Sequence, residues 1–290
     1  MERRDAFFPQ AEVFDNYHDL LQSADVDVVD VATHAEPRVE IIEQALRSGR
    51  HVLSQKPFVV DLETGARLAS LAETCGCRLA VNQNGRWAPH LSYIRHAVTA
   101  GCIGQVAGVN VTIHWDHNWI VGTPFDEMRH VVLSDFAVHW FDFAASIVPG
   151  VARRIFASTN RSASQTASPP LMASVFMEYP DATVNLVFDA DTTRGPEDRT
   201  VVRGTKGTLF SVGPSLTDQT VTGHTQGGWF RPELKGTWFL EGFQGTMAEL
   251  LCAIEEERAP VNDARDNLRG LQMCFAAVKS ADSGQPVVLE

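Results

Sequence analysis

Between residues 26 and 81 the chain alternates between short apolar runs and amphipathic stretches, and that alternation admits few folds. Residues 26–32 form an apolar run interrupted by Asp27 and Asp30. Residues 36–48 then space Val39, Ile42, Ala45 and Leu46 along one helical face, and Gly49 stops the helix. Val52 and Leu53 lie in a second short strand, residues 62–74 form an Ala/Leu-rich helix closed by Gly76, and residues 79–81 begin a third strand. Strand, helix, strand, helix, strand predicts a parallel sheet joined by right-handed crossovers.

After a further helix over 89–100, stopped by Gly101, the pattern changes. Val109, Val111 and Ile113 alternate within 105–115, which marks a half-exposed strand. A strongly apolar helix over 134–147 is followed by strand-like runs at 154–159, 171–178, 183–189, 199–203 and 208–212, so the second sheet is expected to be largely antiparallel. The Ser/Thr/Pro-rich stretch 162–170 reads as a loop. Two amphipathic helices packed on a sheet close the chain, 243–257 carrying Phe243, Met247, Leu250, Leu251 and Ile254, and 264–281 carrying Leu268, Leu271, Phe275 and Val278, and their Met and Phe residues read as core.

The net charge of −12, from 36 acidic and 24 basic residues, is spread without a Lys/Arg cluster, so neither nucleic acid nor an anionic membrane is an expected partner. The five cysteines form no Cys-x-x-Cys pair and read as buried thiols of a reducing cytoplasm. No apolar stretch approaches the roughly 20 residues of a membrane span, and residues 1–9 carry no apolar leader. A cytoplasmic protein is expected.

Several segments carry chemistry. Gln55-Lys56-Pro57 follows a short strand, and Asp135 and His139 lie four apart in the apolar helix, with Asp142 three residues on, so that all three are expected on one helical face. Val26-Asp27-Val28-Val29-Asp30-Val31-Ala32-Thr33, the run from Ala45 through His51-Val52-Leu53, Gln55-Lys56-Pro57, Gly101-Cys102-Ile103-Gly104, Asp135-Phe-Ala-Val-His139 and Gly204-Thr205-Lys206-Gly207 occur in an order that resembles the Gfo/Idh/MocA family of NAD(P)-dependent oxidoreductases, which act on sugars, polyols and related alcohols. The likeness covers nearly the whole chain. Gln55 stands where the family usually has Glu, and Arg38 lies near a position where histidine is common.

The resemblance implies an α/β plus α+β fold: an incomplete Rossmann-like parallel-sheet domain over 1–102, then a mostly antiparallel open-sheet domain with helices on one face over 103–290. One piece is missing from the pattern. The first glycine is Gly49, and no Gly-x-Gly-x-x-Gly occurs in the 290 residues, whereas a dinucleotide fold brings pyrophosphate against such a turn. Roughly the first βαβ is therefore expected to be absent. A sequence that starts inside a longer one is the favoured reading, and a relative that has lost the pyrophosphate site is the alternative.

Oxidising an alcohol requires its O–H proton to leave as hydride moves. His139 is the candidate general base, Asp135 or Asp142 the group that orients its ring, and Lys56 the donor to the developing alkoxide. Since α/β sheets bind ligands at the carboxyl ends of their strands, Thr33, His34, Gln55, Lys56, Pro57 and Gln83 are expected at the NAD or NADP cofactor. Arg86, Asp135 and Asp142 are expected at a sugar or polyol substrate. A lone histidine in an apolar helix is ordinarily core, and a lone lysine ordinarily solvated; their combination is what departs from that. Two further readings compete: a non-catalytic binding or assembly protein, or inactive fragment, and a metal-dependent hydrolase or lyase built on His114, His117 and Asp135. Along a strand His114 and Asp116 point one way and His117 the other, so no metal site is assigned. Trp115 and Trp119 read as walls of a pocket or interface. An open sheet also predicts self-association.

Overall fold

The computed structural model describes residues 7–23 and 25–289; the charged opening of the chain, residues 1–6, read above as carrying no apolar leader, lies outside them. A short helix, α1 (Tyr17–Ser23), precedes β1 (Val28–Val31), α2 (Ala35–Arg47), β2 (His51–Gln55), α3 (Leu62–Thr74) and β3 (Leu79–Asn82). The three strands pair in parallel in the order β1-β2-β3, with Val29 opposite Val52 and Leu53 opposite Ala80. Helix α3 starts where Asp61 accepts a bond from the Thr64 amide at 2.7 Å, an N-cap that satisfies one of the first-turn donors. Ile42, Ala45 and Leu46 of α2 pack with Leu68 of α3 over Val52 and Leu79.

Two helices from the far end of the chain complete this small sheet. Leu250 of α6 (Leu240–Glu255) is buried against Leu53 and Ala80, and Leu271 of α7 (Ala264–Ser283) joins the cluster formed by α2 and α3. The segment before α7 also covers an edge: the Val81 amide donates to the Asn262 carbonyl and the Asn262 side chain donates to the Val81 carbonyl, both at 2.9 Å. An open strand edge is a site of unwanted pairing, and here the backbone carbonyl and the side-chain amide of Asn262 occupy it.

The second sheet has nine strands. After α4 (Pro89–Thr99) come β4 (Val106–His114), α5 (Val138–Ile147), β5 (Arg154–Asn160), β6 (Met172–Glu178), β7 (Thr183–Asp189), β8 (Glu197–Gly204), β9 (Gly207–Gly213), β10 (Thr220–Thr225), β11 (Gly228–Phe230) and, at the end, β12 (Val287–Val288). Their order is β11-β10-β9-β8-β4-β7-β6-β5-β12, antiparallel throughout except for the parallel pair β4 and β7. Strands β5 to β7 alternate buried and exposed positions, and the buried face packs under Trp140, Phe141 and Ala144 of α5.

Some expectations need correction. Phe243 of α6, read as core, and Leu251, placed on its packed face, are exposed, because that helix lies with Leu250 toward the first sheet. Of the five cysteines only Cys77 and Cys274 are buried; Cys102 and Cys252 are exposed. Strands β10, β11 and β12 carried no clear sequence signal: Thr220–Thr225 has a single apolar residue, Val221, and the other two strands are two or three residues long.

Candidate active site

The carboxyl end of β2 delivers Lys56 to the space between the two sheets. Its ammonium donates to Asp135 Oδ1 at 3.0 Å and to the Asp135 carbonyl at 3.1 Å. The Gln55 side chain accepts from the Lys56 amide at 2.8 Å, and the Lys56–Pro57 peptide is cis. Behind this loop lies Arg38, buried on α2, whose guanidinium donates to the carbonyls of Thr33, Gln55 and Pro57. It thus ties the end of β1 to the segment around Lys56. Burial pushes the Arg38 pKa down to about 10, which leaves it charged at neutral pH.

Asp135 and His139 do not sit on a regular α-helix. Residues Val132–Phe136 form a π turn, closed by the Ala137 amide to the Val132 carbonyl at 2.7 Å, before α5 begins at Val138. A π turn is wider than an α turn and breaks the vertical stacking of residues four apart. Asp135 therefore faces Lys56, while His139 meets the ring of Trp238 edge-on at 5.5 Å. The expectation that Asp135 or Asp142 orients the His139 ring is corrected: Nδ1 of His139 has no hydrogen-bond partner among the described residues. Burial, and secondarily the Lys56 charge, holds the His139 pKa well below the usual 6.5, so its imidazole is neutral at pH 7.

Two cavities meet at this point. One, of about 270 Å3, has Lys56, Asp135, His139, Gln55 and Asn84 among its polar lining. The other, of about 620 Å3, opens at the carboxyl ends of β1 and β2 beside Thr33, His34 and Pro57. Gln55, Lys56, Phe125 and Asp135 belong to both, so Lys56 stands at the junction. The start of α2, preceded by His34 with no side-chain cap bond, borders the larger cleft through Ala35 and Glu36.

Arg86 and Asp142, expected at the substrate, are instead each other's partners. Arg86 Nε lies 2.7 Å from Asp142 Oδ2 and Nη2 lies 2.8 Å from Oδ1, with the two side chains 4% and 3% exposed. Asp266 at 3.1 Å and the Val261 carbonyl complete the guanidinium's bonds, and although burial opposes charge, these carboxylates raise the Arg86 pKa. Neither residue lines the cavities, nor does Gln83, which is buried just beyond β3. His114 is also absent from both linings, and among the described residues no three His, Cys, Asp or Glu side chains are grouped to hold a metal ion, so His114, His117 and Asp135 do not form a ligand set.

Sequence reasoning missed part of the wall. His117 bends into the smaller cavity against Phe136, with ring centroids 4.2 Å apart, and burial pushes its pKa down to about 4. Trp238, Phe239 and Phe243 come from the entry to α6, where Gly242 lets the helix approach the Asn84 carbonyl and Gly245 lets it approach the Trp87 ring. The aromatic pair Trp238-Phe239 just before a helical stretch was the only available signal for them.

The sequence matches the oxidoreductase family Gfo/Idh/MocA, NAD-binding Rossmann fold, over residues 2–83, and the Gfo/Idh/MocA C-terminal domain over residues 91–210. It is 25% identical over 285 residues to D-apiose dehydrogenase of Paraburkholderia graminis, covering 93% of this chain and 75% of that protein. It is 24% identical over 267 residues to inositol 2-dehydrogenase of Rhizobium meliloti, covering 89% and 79%. Its fold superposes with a TM-score of 0.86 and 19% identity on an oxidoreductase from Agrobacterium radiobacter solved with NAD+, L-tartaric acid and magnesium, covering 98% of this chain and 86% of that one.

Proposed function

Because this chain belongs to the Gfo/Idh/MocA family of NAD-binding oxidoreductases, we propose that it moves a hydride between NAD(P) and a hydroxyl-bearing carbon of a sugar, polyol or related metabolite, with Lys56 and His139 at the reacting alcohol. The observation that carries this reading is the junction of the two cavities at Lys56: an ammonium and a neutral imidazole line one small chamber, and that chamber opens onto a cleft at the strand ends. The names of the D-apiose and inositol dehydrogenases support the substrate class.

The cleft suits the nicotinamide end of a dinucleotide. Thr33, His34, Gln55, Lys56 and Pro57 would hold it, with the start of α2 available to a phosphate. When bound, NAD(P)+ supplies the hydride acceptor. Lys56, held by Asp135, donates a hydrogen bond to the alcohol oxygen and stabilises the alkoxide as it forms. His139 accepts the O–H proton; the carbon–hydrogen pair departs as hydride and the C–O bond becomes a carbonyl. Its depressed pKa keeps the imidazole in the accepting form at neutral pH. Arg38 acts on this chemistry only by fixing the loop that carries Lys56. Turnover of a sugar and polyol panel with NAD+ and NADP+, compared with Lys56→Met and His139→Ala, tests the assignment; full activity in both variants would overturn it.

A non-catalytic binding role is the competing reading of the same cavities. Calorimetry with each dinucleotide separates the two, since binding weaker than millimolar for both supports that role.

The same reading divides the chain between residues 102 and 103, after β3 and α4 and before β4, the first strand of the larger sheet. Self-association would use the outer face of the large sheet, where Phe156 and Phe176 lie opposite each other on β5 and β6 and are exposed beside Val187. Among the described residues no helix is long and apolar enough to cross a membrane; the five free thiols support a reducing, cytoplasmic location.

A further inference from the structure

The smaller cavity is unusually apolar for a chamber that would hold a polyol. Trp115, Trp140 and Trp238 form one wall, with centroids 5.6 Å apart for Trp115 and Trp140 and 5.9 Å for Trp140 and Trp238. Phe136 stands on the His117 side. At the mouth, Trp119 and Phe239 are 59% and 54% exposed and carry the aromatic surface outward. Large aromatic faces left open to water at a cavity entrance mark a place where an apolar body settles.

The polar groups point to the same ligand by what they do not offer. Lys56 and Asp135 are the two charged residues of the lining and neutralise each other at 3.0 Å. The two histidines are neutral at pH 7, since burial pushes His117 down to about 4 and His139 well below its usual range. The nearby guanidinium groups of Arg38 and Arg86 already donate to carbonyls and carboxylates and line no part of the chamber, Arg38 bordering only the adjoining cleft. A carboxylate or phosphate entering here would lose its water and meet only a cation whose charge Asp135 already balances.

Resting on the oxidoreductase reading above, we propose that the substrate is a neutral hydroxylated ring joined to an aromatic or similarly flat apolar group, as in an aryl glycoside. The hydroxylated ring sits at Lys56 and His139, and the apolar group lies against Trp119 and Phe239. The cavity's volume of about 270 Å3 suits one ring inside, given that a cavity of roughly 150 Å3 accommodates benzene; the second ring projects onto the exposed aromatic rim.

Calorimetry on the intact chain tests this with matched phenyl and methyl glycosides of glucose, galactose, mannose and xylose, and with phenyl glucuronide as the anionic counterpart. In at least one configuration the phenyl glycoside is expected to bind about 10- to 100-fold more tightly than the methyl glycoside, the increment of one buried and stacked ring. Trp119→Ala should remove most of that ratio, by weakening the phenyl glycoside far more than the methyl glycoside, and phenyl glucuronide should bind at least about 10-fold more weakly than phenyl glucoside. Equal affinity of phenyl and methyl forms in every pair, no binding by any phenyl glycoside, or preference for the glucuronide would overturn the inference. NADH titration of the same protein reports separately on the parent reading: dinucleotide binding without a phenyl preference refutes only the substrate class, and a phenyl preference without dinucleotide binding refutes only the oxidoreductase role.

Discussion

Replacing Asp142 with alanine should unfold the protein more readily while leaving the chemistry of the folded fraction intact. The wild-type carboxylate gives Arg86 two charge-assisted bonds, at 2.7 and 2.8 Å, and accepts from Asn267 at 3.3 Å, with both partners of the ion pair almost fully buried. Removing one member of such a pair costs about 3–5 kcal/mol, because the remaining charge is stranded. Arg86 keeps Asp266 at 3.1 Å and the Val261 carbonyl, and Asp266 is 40% exposed, so the lower end, about 3 kcal/mol, is expected. Urea unfolding at pH 7, followed by far-ultraviolet circular dichroism, measures this directly. The double variant Arg86→Met/Asp142→Leu should recover most of the loss, since an apolar pair of similar volume strands no charge. A loss below about 1 kcal/mol would refute the stability argument. Turnover falling 100-fold with stability unchanged would restore Asp142 to the substrate, where sequence reasoning had put it.

Because the His139 pKa is depressed, kcat/KM should stay flat from pH 8 down through the ordinary histidine range near 6.5 and fall only in stronger acid; an acid limb centred at 6.5 or above would exclude His139 as the base. His90 is buried with its pKa pushed down to about 3, so the unfolded chain takes up a proton near pH 6.5 that the native state refuses. Its contribution is complete above pH 6.5 and is lost on acidification by about 1.4 kcal/mol per pH unit down to pH 3; urea midpoints from pH 7 to 5 should fall less steeply in His90→Phe. Asp198 has the opposite sign: burial and Glu197 raise its pKa to about 7, so the native state loses ground as pH climbs from 3.8 to 7. Asp198→Asn should therefore gain several kcal/mol at pH 8 and almost nothing at pH 4, and equal midpoints for variant and wild type at pH 8 would contradict this.

The first sheet was legible because its periodicity is local: Ile42, Ala45 and Leu46 announce a buried helical face within a few residues of each other. Lys56 was legible for a similar reason, as a charge placed at the end of an apolar strand. The geometry of Asp135 and His139 was not, since an extra residue in the turn leaves hydrophobic spacing almost unchanged while rotating His139 and its neighbours about the helix axis. Arg86 and Asp142 look like any polar residues near a strand end and a helix; their partnership spans 56 positions and exists only after folding. Trp238, Phe239 and Phe243 reach the cavity because glycines downstream admit a close approach to Asn84 and Trp87, a contact that no local pattern encodes.

Leu250, Asn262 and Leu271 finish a sheet whose last strand ends at Asn82. On the ribosome, which adds about 5–20 residues per second, some 10 to 40 seconds separate the emergence of β3 from that of the helices that cover it. During that interval Leu53 and Ala80 present an apolar face with no helix to meet it, and β3 offers an unpaired edge to any neighbouring nascent chain. Loss of the last fifty residues would thus injure the beginning of the protein rather than its end, turning the earliest-made sheet into the part most prone to aggregate.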